Sequence, residues 1–298
     1  MSWKQYISMK ETIRYLAGIA GPSGFGSKST AEQVTESIAA SSIPSHLTAI
    51  ITGATSGIGE ETARVLAKRG LRIVIPARDL KRALQVKESI QKESPQAEII
   101  LLKLDLSSFA SIKRFWHFLM TEMLLERMVE TSARTGIEGR IINVSSVIHS
   151  WVKKERFHFS NMVGPKNYNG TCAYAQSKLA NLLHAKEMAR QLKARNARVT
   201  INAVHPGIVK TGIIRDHKGM ITDSLFFLAS KLLKSTSQGA STTCFVALSP
   251  RVNGLNGKYF ADCNESNCSS LANDGSEAKK LWKQTHALLQ RVLFSTPK

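Results

Sequence analysis

"LTAIITGATSGIGEETARVLAKRG", residues 47–70, carries the pattern that decides the fold. "LTAIIT" is an apolar run of strand length, "GATSGIG" is a glycine-rich turn, and "EETARVLAKRG" has helical periodicity with a closing glycine at Gly70. In a strand–turn–helix unit of this kind Gly53 permits the tight turn, Gly57 lets the backbone approach a pyrophosphate, and Gly59 allows close helix packing. The helix N-terminus then faces the phosphates. Glycines alone would be weak evidence, and it is their place between a strand and a helix that gives them force.

Working outward, the next strand, "LRIVIPAR", ends at Arg78, where an NAD-preferring protein usually carries an acidic residue for the ribose 2′-hydroxyl. A guanidinium there can instead bind a 2′-phosphate through paired, charge-assisted hydrogen bonds, helped by Ser56, Lys81 and Arg82, so the cofactor expected is NADP. After the helix "DLKRALQVKESIQKES" a third strand, "AEIILLKL", leads to Asp105 and Leu106, where an acidic side chain can accept from an adenine amino group.

Further along, "GRIINVSSVIHS" reads as a strand running into a loop with Ser145 and Ser146, and "TCAYAQSKLANLLHAKEMARQLK" reads as a helix carrying Tyr174 and Lys178. Their spacing puts the tyrosine and the lysine on one helix face. An ammonium beside a phenol favours the phenolate, so Tyr174 is expected to titrate closer to neutrality and to exchange a proton with an alcohol or carbonyl, with Ser146 holding the substrate oxygen.

These marks together resemble the short-chain dehydrogenase/reductase family from Leu47 to about Asp262: Thr52-Gly53-x-x-x-Gly57-x-Gly59, Asp105, the "NVSS" strand end, Tyr174-x-x-x-Lys178, and "HPGIVKT" from His205 to Thr211. The resemblance implies a Rossmann-like, doubly wound parallel α/β sheet. It also implies that Tyr174 is the catalytic acid/base, that Lys178 binds the nicotinamide ribose and tunes the tyrosine, and that Ser146 orients substrate. Cofactor contacts implied in the same way are Gly53, Thr55, Ser56, Gly57, Ile58, Gly59, Arg78, Asp105, Leu106, Lys178, Pro206, Gly207, Val209 and Thr211. "GPSGFGSKSTAEQVTESI" before the first strand and "AYAQSKLANLLHAKEMAR" are similar to a plant branch related to retinol dehydrogenases and to the chloroplast inner-envelope translocon-associated dehydrogenase.

One stretch departs from that pattern. "LDLSSFASIKRFWHFLMTEMLLERM", residues 104–128, runs from a strand end straight into an amphipathic helix with no Gly, Pro or Asn to break it. Family members place a further strand, an Asn-Asn-Ala-Gly motif and the start of a long helix between Asp105 and "NVSS". Residues 107–139 have room for one long helix and a loop, about half of what those elements need. The fourth strand is therefore expected to be missing, with the junction near Phe115 to His117. The supporting asparagine of the family falls by register near Lys113, and an added cation cannot reproduce an amide's paired donor and acceptor. Two costs are expected: a gap of about 4.8 Å beside the first strand, or an inward shift of the catalytic half, and unpaired backbone groups at about 1 to 3 kcal/mol each. Catalysis is expected to be weakened.

Composition bounds the remaining readings. A chain of 298 residues, 43% hydrophobic and 21% charged, fits one globular domain with extensions: 1–46 an N-terminal extension, 47–270 the NADP-binding Rossmann and catalytic domain, 271–298 a basic amphipathic tail. Forty-one Lys+Arg against 22 Asp+Glu give +19, which suits an anionic partner but does not choose one. No nucleic acid is expected, because no recognised module accompanies the charge. Cys172, Cys244, Cys263 and Cys268 lack zinc-site spacing and read as reduced thiols of an intracellular protein, in the chloroplast envelope or the cytoplasm, and no metal is implied.

In the extension, Ser29 and Glu32 are expected to form a capping box, and Trp3, Tyr6, Ile7, Ile13, Tyr15 and Leu16 to pack on the domain or to meet a membrane or a partner. In the tail, Leu281, Trp282, Leu288, Leu289, Val292 and Leu293 form an apolar stripe beside lysines. The stripe suits packing on the domain, calmodulin or an anionic membrane surface. Ile213, Ile214, Leu225, Phe226 and Phe227 are candidate walls of an apolar pocket, so a small lipophilic alcohol or carbonyl compound is the expected substrate. The competing class is a nucleotide-binding regulatory protein without turnover. Oligomeric state is not legible.

Overall fold

The computed structural model describes residues 9–104, 116–163, 169–209 and 233–294. Asp105, Leu106, Lys113, Thr211 and the pocket candidates Ile213, Ile214, Leu225, Phe226 and Phe227 lie outside the described residues, as does Phe115 at the expected junction; of Trp116 and His117 only the backbone is described. The chain divides into two compact units, one of Met1–Leu104, Pro206–Arg251 and Ala261–Asn264, the other of Asp105–His205, Val252–Phe260 and Glu265–Lys298.

The first unit is built on a parallel sheet of β1 (Thr48–Ile50), β2 (Arg72–Ala77) and β3 (Ile99–Lys103), in that order. β2 is interior, and every residue of it after Arg72 is buried, as its unbroken apolar sequence requires. Helices α1 (Met9–Ala17), α2 (Ala31–Glu36), α3 (Gly57–Lys68) and α4 (Leu80–Glu93) accompany the sheet. The Asp79 side chain caps α4 by accepting from Arg82 N–H at 3.1 Å. Ile73, Ile75, Val65, Leu66 and Ile90 form the core with Ala240, Cys244 and Leu248.

The second unit contains α5 (Trp116–Thr135), β4 (Gly139–Val144), α6 (Phe159–Val163), α7 (Gly170–Ala194) and β5 (Val199–His205). After β5 the chain contributes α8 (Thr236–Leu248) to the first unit, and then come β6 (Tyr259–Ala261), β7 (Asn264–Glu265) and α9 (Gly275–Phe294). The second sheet has the order β4-β5-β6-β7, with β4 and β5 parallel. The described helix in the long run continues past Met128 to Thr135, where Gly136 at φ 71° turns the chain towards β4.

The single doubly wound sheet expected from the sequence is thus divided in two, and the division falls where the fourth strand was expected to be missing. Among the described residues no strand lies between β3 and β4, and β1 and β4 each end a sheet. Their burial carries the trace: Thr48 and Ile50 of β1 are exposed, Ile50 by 43%, and β4 is mostly half-buried beside the deeply buried β5.

The described N-terminal segment belongs to the first unit, but of the side chains expected to pack only Tyr15 is half-buried: Ile13 and Leu16 are exposed, and Trp3, Tyr6 and Ile7 lie outside the described residues. Its capping box is formed by Thr30 and Gln33, one residue later than expected. Ser29 Oγ instead accepts from Gly26 N–H at 3.0 Å, and Glu32 pairs with Arg64 and Lys68, each at 3.1 Å. "GPSGFG" closes on Asn264: Ser23 N–H donates to its Oδ1 at 2.9 Å, and its Nδ2 donates to Phe25 O at 3.0 Å and Asp262 O at 2.6 Å. Gly21 is required there, since a Cβ would stand 2.4 Å from that Oδ1.

The apolar stripe of α9 is engaged inside the second unit, with Leu281 and Leu289 buried and Trp282 stacked on His184 at 5.6 Å between centroids. The side chains of Val292 and Leu293 lie outside the description. No described helix is long and apolar enough to cross a membrane.

Asn264→Ala removes these amide contacts while leaving the strand backbone intact. It is expected to destabilise the protein by roughly 2 kcal/mol, read as a lower urea midpoint.

Candidate functional site

In the first unit the turn after β1 is built as its glycines require. Gly53 and Gly57 stand at φ 70° and 60°, in the left-handed region that other residues resist. A Cβ on Gly59 would lie 2.3 Å from Gly53 O, so the start of α3 packs directly on the turn backbone. Gly53 and Ser56 are exposed, whereas Thr55, Gly57, Ile58 and Gly59 are half-buried. The first backbone N–H groups of α3 are therefore next to an open, side-chain-poor cradle, the arrangement that takes a pyrophosphate. Arg78, exposed, leaves β2 at the C-terminal edge of the same parallel sheet, since Ile50 pairs with Val74 and Ala77 with Lys103.

Pro206, Gly207 and Val209 belong to the same unit. Gly207 at φ 87° lets the chain turn against Lys234, whose Cδ is 2.5 Å from where a Cβ would be. Lys234 N–H donates to Ile208 O at 2.8 Å, and its buried Nζ pairs with Asp262 at 2.5 Å. Gly239 of α8 gives room to both Val209 and Ile58, which would stand 2.6 and 3.2 Å from a Cβ there. The glycine-rich turn and the loop after β5 are thus neighbours across one small residue. The N-terminal segment reaches this corner as well, because Tyr15 has the Lys234 ammonium 5.9 Å from its ring centre and burial pushes its phenol up to about 12.

In the second unit, Ser146 ends the β4 loop in extended backbone, and its Oγ accepts from Ile148 N–H at 3.4 Å, capping the short turn Val147–Trp151. Asn169 caps α7 by accepting from Cys172 N–H at 3.0 Å, which sets Tyr174 on the first turns and Lys178 on the next. Tyr174 is 41% exposed; the Ser146 side chain near its hydroxyl favours the phenolate, but desolvation is the larger effect and the phenol titrates above its ordinary value. Burial also pushes the Lys178 amine down.

This corrects the expectation that Lys178 draws the tyrosine towards neutrality. Its Nζ is over the ring, 5.3 Å from the centroid, and its hydrogen bond goes to Val144 O at 3.2 Å. Desolvation is the largest effect on the Tyr174 phenol, and it opposes the phenolate.

Sequence reading overlooked the polar layer beneath. Val144 O also accepts from Asn181 Nδ2 at 3.0 Å, and Ser145 Oγ donates to Lys178 O at 2.8 Å. Buried Asn143 donates through Nδ2 to Asn181 O at 3.1 Å and to His184 Nδ1 at 3.0 Å. Asn181 was findable: three residues beyond Lys178, it must share the lysine's helix face.

A sequence profile of short chain dehydrogenases matches residues 47–118 and 157–220. The chain is 42% identical to the Brassica napus protein named short-chain dehydrogenase TIC 32 B, chloroplastic, over 91% of its own length and 96% of the relative's. It is 35% identical to mouse retinol dehydrogenase 12 over 80% and 85% of the two chains. The first of these alignments runs over 313 residues, longer than this 298-residue chain, so the relative carries residues that this one lacks. Among solved structures, a protein of Mycobacterium paratuberculosis superposes with a TM-score of 0.62 at 24% identity, covering 85% of this chain and 97% of that one. L-sorbose reductase of Gluconobacter frateurii, solved with NADPH and L-sorbose, gives 0.51 at 20% identity, covering 74% and 96%. By these identities and coverages the chain belongs to the short-chain dehydrogenase family.

Proposed function

We propose that this chain is an NADP-dependent oxidoreductase acting on a small lipophilic alcohol or carbonyl compound, with turnover weakened by the missing segment. The observation that carries the reading is the cluster at the end of β4 and the start of α7, where Lys178, bonded to Val144 O, has its ammonium 5.3 Å from the centre of the Tyr174 ring and Ser146 follows the end of β4 in the same unit. The glycine cradle fits a dinucleotide because the exposed turn has open space above Gly53 and Gly59 lets the start of α3 close on the turn backbone, and Arg78 supplies the charge for a 2′-phosphate. Bound there, the nicotinamide would supply or accept the hydride. Tyr174 gives its proton to the substrate oxygen in reduction, Ser146 Oγ holds that oxygen, and Lys178, kept in register by Val144 O, orients the ribose.

The lipophilic substrate class is supported by the exposed Trp151 on the turn that follows Ser146, and by the retinol dehydrogenase relatives. The plant relatives named chloroplastic support placement in the chloroplast, with the envelope as the proposed site and the cytoplasm as the alternative. The alternative of a regulatory protein that meets calmodulin or a membrane through α9 would require Leu281, Trp282 and Leu289 to leave their packing in the second unit.

Tyr174→Phe is expected to lower NADPH-dependent carbonyl reduction by about a hundredfold or more while NADPH affinity is retained. Unchanged turnover would remove Tyr174 from the chemistry. The raised phenol pKa keeps Tyr174 protonated at neutral pH, the form needed for reduction, so alcohol oxidation is expected to rise with pH into the alkaline range while carbonyl reduction falls. Rate profiles in both directions check the sign. Arg78→Asp is expected to lower the ratio of kcat/KM for NADPH over NADH by roughly tenfold or more, and an unmoved ratio would contradict the role given to Arg78.

A further inference from the structure

We infer that His149 is a positioning residue, which locks the backbone of Ser146 by bridging its carbonyl to the loop that opens the C-terminal segment. The inference rests on the reading of Ser146 as the group that holds the substrate oxygen. His149 is 2% exposed, and both of its ring nitrogens are used. Nδ1 is 2.6 Å from Ser146 O, and Nε2 is 3.1 Å from Ser269 N.

The tautomer follows from the partners. A backbone N–H only donates, so Nε2 must accept from Ser269, the ring proton must be on Nδ1, and Nδ1–H donates to Ser146 O. A protonated ring would lose the Ser269 bond, and burial holds this imidazole below its ordinary range, in keeping with the neutral form. The ring is further fixed edge-on against Tyr259, 5.3 Å between centroids.

The effect on Ser146 is geometric. Ser146 is extended, at φ −158° and ψ 156°, and in that setting its Oγ caps Ile148. Ser146 O accepts from His149 backbone N–H at 3.1 Å as well, and the ring bond adds a second hold on the peptide plane from which the Ser146 side chain projects, so the direction of Oγ is set in part by a ring three residues later. The other end of the bridge is anchored too: Ser269 Oγ accepts from Ala272 N–H at 3.3 Å, and Ser269 O accepts from Asn273 N–H at 3.2 Å. Lys154 Nζ, from the segment after the Ser146 turn, reaches Asp274 at 2.8 Å. The serine loop is thereby clamped to the turn Leu271–Asn273 that leads into α9.

The test compares the parent full-length protein with His149→Phe and His149→Gln. Phenylalanine keeps the ring against Tyr259 and removes both hydrogen bonds, whereas glutamine can restore a donor and an acceptor. With a carbonyl substrate and NADPH, His149→Phe is expected to lower kcat roughly tenfold or more with KM within about twofold, and His149→Gln to recover part of the loss. Equal kcat in His149→Phe and the parent would overturn the inference.

Two readouts stand apart from turnover. Imidazole nitrogen spectra, assigned by the signal that His149→Phe removes, are expected to show a neutral, Nδ1-protonated ring. Hydrogen exchange at Ile148 N–H is expected to be faster in His149→Phe than in the parent. A parent without activity would defeat the proposed function and leave these two to decide the inference. An Nε2-protonated ring, or unchanged Ile148 exchange, would overturn it.

Discussion

An interior strand of a parallel sheet needs a hydrogen-bonded neighbour on each side, and among the described residues β1 and β4 each have one. The two sheets follow from that constraint. Among the described residues the segment between β3 and β4 supplies α5 and no strand, so the glycine-rich turn and the Tyr–Lys helix are carried by two sheets, one ending at β1 and the other at β4. Open edges leave backbone donors and acceptors to solvent and offer a template for unwanted pairing. The exposure of Ile50, on a strand whose sequence is written for burial, is the local sign of this.

Within each unit the functional elements are nevertheless held by contacts that do not depend on the missing strand. In the second unit one acceptor, Val144 O, takes hydrogen bonds from Lys178 and Asn181 and ties α7 to the end of β4. Asn143 and His184 continue that layer inwards, so the face of α7 that carries Lys178 is tied to β4 through buried hydrogen-bonded amides. In the first unit Gly239 brings Ile58 and Val209 together, and the Lys234–Asp262 pair fixes the loop after β5. Because the proposed dinucleotide cradle and the proposed proton-transfer group are each assembled within one unit, coenzyme binding and turnover are expected to be separable.

What the sequence revealed was what is local. β1, the turn and α3 were legible because strand, glycine spacing and helix period occur within a single stretch of chain, and Tyr174 and Lys178 because helix geometry alone puts them on one face. The capping box was misplaced by one residue because Ser29–Glu32 and Thr30–Gln33 both satisfy the pattern, and only Arg64 and Lys68, far along the chain, draw Glu32 away. The titration of Tyr174 was misjudged for a similar reason. Helix spacing does not reveal that the lysine's hydrogen bond is spent on a strand carbonyl 34 positions away. The link from His149 to Ser269 spans 120 positions and has no sequence signature.

The central claim is that the amide-rich turn opening α3 is a working dinucleotide site even though its sheet ends at β1. Calorimetric titration of the folded protein with NADPH and with NADH tests it most directly. Saturable binding of NADPH, with weaker binding of NADH, is the result expected; absence of heat and of any thermal stabilisation with both coenzymes would contradict it.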